Sequence, residues 1–168
     1  MRKGFTLVEI LIAIAVFSIL ASFMLINFRK DQNYRDLKQD GIFIESIIKK
    51  SQTLSLSGQS INGQAYEKFI VSAGNCIAGL CSSFDLKGRI GTEEYLLESV
   101  TFSKSKIAGI DQNFKIEFDT PRAQAKITYN NQNVATSSLR LINTKDSSLF
   151  KCVEFSAISG RIDITNCQ

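Results

Sequence analysis

The residues best equipped for chemistry in this chain are four cysteines, Cys76, Cys81, Cys152 and Cys167. Their gaps are C-x4-C and C-x14-C, whereas a zinc site prefers C-x2-C pairs, and there is no His to complete a mixed ligand set. The lack of His also removes Ser-His-Asp and Cys-His catalysis and most general-base schemes near neutrality. The thiols therefore read as staples, not nucleophiles. An even number of them predicts two disulfides and an oxidising compartment. Three pairings are open. The favoured one joins Cys76 to Cys81 across a short loop and Cys152 to Cys167 across a terminal hairpin. If Ala157 to Gly160 turn that hairpin, Cys152 faces Thr165 and Cys167 is its diagonal neighbour, about 7–8 Å away. A bulge or a curled C-terminus must then bring the pair within the usual disulfide span of roughly 4.4–6.8 Å.

Glu93, Glu94 and Glu98 form the one carboxylate cluster of the C-terminal part, and a solvated loop or edge-strand face accounts for them better than acid–base work. Gly74, Gly79, Gly88 and Gly91 lack the G-K-[ST] that a phosphate loop requires. Lys104, Lys106 and Arg161 read as surface charges. No catalytic constellation, metal site or cofactor is expected, and the chain reads as a non-enzyme.

Two residues near the start are harder to dismiss: Gly4, between a basic pair and an apolar run, and Glu9, a carboxylate inside that run. The run, Phe5 to Phe28, reads FTLVEILIAIAVFSILASFMLINF, 24 residues with one charge. As a helix it is about 36 Å long, enough for a hydrocarbon core of roughly 30 Å. A core helix of a soluble protein seldom stays apolar on every face at this length. A cleaved secretory signal has an apolar region of about 7–15 residues and a small-residue cut site; here Asn27-Phe28-Arg29-Lys30 follows instead. The run therefore reads as a membrane span that stays attached. A buried charge costs on the order of 3 kcal/mol at mid-bilayer, less near an end, so Glu9 calls for a purpose.

With Arg2 and Lys3 before the span and Arg29, Lys30 and Arg35 after it, charge alone leaves orientation nearly balanced. The cysteines decide it: all lie after the span, which puts the N-terminus in the cytoplasm and the body outside. The net charge of +4 is mild, and the stretch after Gly58 carries only +1, from twelve basic against eleven acidic residues. Charge alone does not imply a polyanion-binding surface.

Taken together, Arg2-Lys3-Gly4-Phe5-Thr6-Leu7-Val8-Glu9-Ile10 resembles the leader and mature start of type IV prepilins and pseudopilins. The shared features are a short basic leader, Gly before an aromatic, Thr-Leu next, and Glu within a long apolar helix. The resemblance covers residues 2 to about 25. It implies that a membrane prepilin peptidase cuts between Gly4 and Phe5 and methylates the Phe5 amine. It further implies that Glu9 pairs with the N-terminal amine of a neighbouring subunit during assembly. One departure from many relatives is that the span has neither Pro nor Gly after Gly4, so no helix break is predicted there.

Beyond the span the chain stays helical and turns amphipathic, with Leu37, Gly41, Ile44 and Ile48 forming one apolar stripe. A single helix is expected from Phe5 to about Leu56, ending at Ser57-Gly58. From there the pattern shifts to period two: Phe69 and Val71, Phe84 and Leu86, then Phe114-Ile116-Phe118 returning through Thr120 to Ala123 into Ala125-Ile127-Tyr129. Asn130 to Asn133 is read as a polar turn and Val134 to Ile142 as a strand. The last hairpin is 149–156 with 161–166. The fold class is α+β, a long N-terminal helix (about 5–56, first half transmembrane) packed on an antiparallel sheet. Four regions follow: leader 1–4, span 5–28, amphipathic half 29–57 and β-rich body 58–168. That body resembles the H-type minor pseudopilins of type II secretion and related minor pilins.

The expected function is a minor pilin or pseudopilin, a structural subunit of a type IV pilus or secretion-like filament. Its implied partners are other pilin subunits, the prepilin peptidase, the inner-membrane assembly platform and the cytoplasmic membrane. It is expected to sit in that membrane first and in an extracytoplasmic filament later. The alternative is a DNA-binding minor pilin for DNA uptake, with Arg161 as the candidate contact. DNA is not the expected partner, because Gly160-Arg161-Ile162-Asp163 puts an acid where a second base would help.

Overall fold

The computed structural model describes residues 6–167 apart from 59, 62, 111 and 112; for 24–30 it describes the helical backbone only. One helix, α1 (Leu7–Ser57), runs unbroken for 51 residues, about 76 Å at the standard rise. Leu, Ile and Ala dominate its first half, and the lack of Pro and Gly up to Gly41 leaves nothing to interrupt it. It ends at Gly58, whose φ of 58° is the left-handed cap that glycine adopts without a side-chain clash.

The two halves of α1 meet different surroundings. From Leu7 to Phe23 all but one of the side chains are exposed, whereas Leu37, Gly41, Ile44, Ile47, Ile48, Ser51 and Ser55 are buried. The second set repeats at three- and four-residue steps, so it forms one face, and that face lies on the sheet. Gly41 is where the approach is closest: a Cβ built there would sit 3.4 Å from Ile164 and 3.6 Å from Leu141. Ser55 ties the far end down, its hydroxyl donating to the Asp119 carbonyl at 2.7 Å.

Ten strands follow among the described residues: β1 (Lys68–Ile77), β2 (Leu80–Ile90), β3 (Glu93–Thr101), β4 (Ser105–Ala108), β5 (Lys115–Asp119), β6 (Ala125–Tyr129), β7 (Gln132–Val134), β8 (Thr136–Asn143), β9 (Phe150–Ser156) and β10 (Ile162–Thr165). They form one antiparallel sheet in the order β10-β9-β8-β4-β2-β1-β5-β6-β7, with β3 also on β2. The sheet curls on itself. Phe118 of β5 meets Phe155 of β9, five places away in the strand order, with ring centroids 6.1 Å apart. Phe69, Val71, Phe84, Leu86, Phe114 and Leu139 fill the interior beneath the helix stripe.

This is the α+β arrangement expected, with three local differences. The strand read as Val134 to Ile142 is broken at Ala135, because the chain changes partners there, from β6 to β9. Gln132 and Asn133 belong to β7, and the turn tightens to Asn130-Asn131, both at positive φ. Asparagine tolerates that region best among residues with a side chain. The short β4 carries no legible alternation; it exists because it bridges β2 and β8.

Candidate assembly site at the helix N-terminus

The first turn of α1 carries a polar constellation on an otherwise apolar rod. Thr6 caps the helix in an extended conformation, and its hydroxyl accepts from the Glu9 amide at 3.3 Å. The Glu9 carboxylate reaches back in turn, accepting from the Thr6 amide at 2.8 Å and the Thr6 hydroxyl at 2.9 Å. This reciprocal box satisfies helix-end donors that have no partner within the helix. Its signature, Thr-x-x-Glu before an apolar run, is present in the sequence, although the resemblance to prepilins points Glu9 to an amine and not to this cap. Below it, Ile10, Ala13, Ile14 and Phe17 line the same face as Glu9. Gly4 and Phe5, the residues named for cleavage and methylation, lie outside the described residues.

Residues 1–25 match the model of the prokaryotic N-terminal methylation motif. That is the type IV prepilin and pseudopilin signature. Over these residues the chain is similar to type IV prepilins, whose motif suggests a membrane-anchored precursor. No curated protein and no solved structure matches the chain. Among the described residues no helix is long and apolar enough to cross a membrane. The apolar run Phe5–Phe28 passes beyond the described side chains at both ends, so the span remains a reading of the sequence.

The other candidate residues sit away from the helix start. Cys76 is joined to Cys81 and Cys152 to Cys167, with Cα separations of 3.9 and 5.0 Å. Cys152 faces Thr165 in the ladder, and the chain curls after β10 to bring Cys167 to it. Arg161, the candidate DNA contact, is exposed but bound to Asp163 at 2.7 Å, and Asp163 faces Glu154 across β9–β10. Its surroundings are acidic, not basic.

The carboxylate cluster resolves into structural pairs on edge strand β3. Glu94 takes Arg89 at 2.7 Å, with Lys87 and Lys115 close by. The Arg89 hydrogen bond is the main cause holding its carboxyl below the usual range, against partial desolvation, with the two lysines adding to it. Glu93 accepts from the Tyr95 hydroxyl and Glu98 pairs with Lys50. No group of three metal-ligating residues occurs among the described residues.

Proposed function

We propose that the protein is a minor pilin or pseudopilin, cut after Gly4, methylated on Phe5, and built into a filament through its N-terminal helix. The observation that carries this reading is Glu9, the one charge in the exposed apolar half of α1, set four residues after the predicted new terminus in a chain that matches the methylation motif over residues 1–25. A carboxylate in a low-dielectric setting needs a cation or a full set of donors. Thr6 supplies donors within the subunit, and the Phe5 amine of a neighbour supplies the cation in the filament. The predicted partners are further pilin subunits, a prepilin peptidase and an inner-membrane assembly platform, with the body on the extracytoplasmic side. No enzymatic role is proposed.

Mass spectrometry of the assembled protein tests this directly. A methylated Phe5 as first residue is the expected result; an intact Met1 in assembled material overturns the reading. The DNA-uptake alternative is not favoured, because Arg161 pairs with Asp163, and Glu154 stands opposite that Asp across the ladder.

A further inference from the structure

Strand β10 is the outermost strand on its side of the sheet, and only β9 pairs with it. Its residues also run along α1 in the opposite sense. At one end Gly160, just before β10, lies against Gln52; an added Cβ would sit 2.9 Å from the Gln52 amide nitrogen. In the middle Ile164 packs on Gly41. At the other end Asn166 accepts from the Lys151 ammonium at 2.5 Å, and that ammonium sits 4.6 Å from the centre of the Tyr34 ring. From Gln52 to Tyr34 the helix covers about 27 Å, and β10 with its flanking Gly160 and Asn166, together with Lys151 of β9, meets it at three points along that stretch.

Lys151 is the unusual member of this contact. It is buried, 7% exposed, and its ammonium meets a neutral amide and an aromatic face. A buried ammonium is costly unless its donors are met, so Asn166 has to be held in place. A four-residue edge strand with one ladder is a weak holder and frays readily. The Cys152–Cys167 bond supplies what the ladder lacks, since it fixes the residue next to Asn166 to the residue next to Lys151.

We propose that β10 is a redox-sensitive strap. With Cys152–Cys167 closed it clamps residues 34–52 of α1 to the sheet through Lys151; with the bond reduced the clamp opens from the Tyr34 end. The reductant is a dithiol of the extracytoplasmic space. Its thiolate attacks the sulfur of Cys167, the less buried of the two. Its second thiol then resolves the mixed disulfide, leaving two protein thiols and an oxidised dithiol, with two electrons and two protons transferred. The consequence is a change in how firmly the body grips the helix where it leaves toward its apolar half.

Hydrogen exchange with mass spectrometry on the full-length protein in detergent micelles tests this, comparing the oxidised form, the dithiothreitol-reduced form, and the variants C152S/C167S, C76S/C81S and Lys151→Met. Reduction and C152S/C167S should each raise exchange of helix amides 34–41 and of the 150–166 hairpin by roughly tenfold or more, with β1, β5 and β6 unchanged. C76S/C81S should leave helix exchange as it was. Lys151→Met, with its disulfide intact, should loosen 31–38 alone. Unchanged helix exchange on reduction overturns the proposal, as does uniform loss of protection across the whole body. A Lys151→Met variant that exchanges like wild type overturns it too, since the clamp acts through Lys151.

Discussion

At the scale of single residues, Glu9 has two demands on it that a substitution can separate. Within the subunit its carboxylate completes the cap with Thr6; between subunits it is expected to meet a cationic amine. Gln is as good a cap partner as Glu but carries no charge. Glu9→Gln should therefore keep the first turn protected and the precursor cleavable, yet fail to enter filaments, as read by amide exchange, an electrophoretic shift and filament pull-down. Normal incorporation of the Gln variant would sink the ion-pair role. Asp40 shows a different tension. It accepts from Ser105 at 2.5 Å at the helix–sheet boundary, and desolvation there raises its pKa against the pull of that hydrogen bond, with Asp36 adding to the rise and Lys104 opposing it. A raised carboxylate binds protons more readily folded than unfolded, so stability falls as pH climbs from the ordinary carboxylate value through the folded one. Asp40→Asn keeps an acceptor for Ser105 and removes the charge. It should melt higher than wild type at pH 7 and equally at pH 3; a lower Tm at pH 7 would contradict this account.

At the scale of elements, periodicity was readable wherever one face is buried and the other is wet. The stripe Leu37-Gly41-Ile44-Ile48 and the alternation Phe114-Ile116-Phe118 both landed on the core. It failed at β4 and β7, of four and three residues, which are too short to show a period and owe their form to neighbours. Gly88 carries no local signal of its role, which is to make room: an added Cβ would fall 2.3 Å from the Tyr66 ring. That ring is nearly buried and held between Phe69 and Tyr95, at 5.7 and 6.2 Å, so it has little room to withdraw. Gly88→Ala should cost about 1–3 kcal/mol by overpacking, measured by urea unfolding. Adding Tyr66→Leu should recover part of that loss, and a double mutant no better than the single would place the strain elsewhere.

At the scale of the whole molecule, the chain divides by what each part of α1 has to bury itself against. From Leu7 to Phe23 none of the side chains is buried, and Leu37 is the first buried one among the described residues of the helix. The described side chains of Leu7 to Phe23 thus add nothing to the core, and their exposed Leu, Ile and Phe need lipid or other subunits instead. Removing residues 1–28 should leave a water-soluble monomer that unfolds cooperatively with both disulfides formed. Its Tm should lie within a few degrees of that of the full chain's body in detergent, since none of the described side chains it removes is buried. Removing residues 1–45 is a different matter. It deletes Leu37, Gly41 and Ile44, uncovers Leu141 and Ile164 on the sheet, and takes Tyr34 from Lys151 and Asp40 from Ser105. Losing two large buried side chains alone costs on the order of 2–5 kcal/mol each, comparable to the whole stability of about 5–15 kcal/mol of an ordinary domain. The shorter fragment should therefore fail to give a cooperative transition or a dispersed amide spectrum. A well-folded 46–168 fragment would show that the helix stripe is a passenger on the sheet and not part of its core.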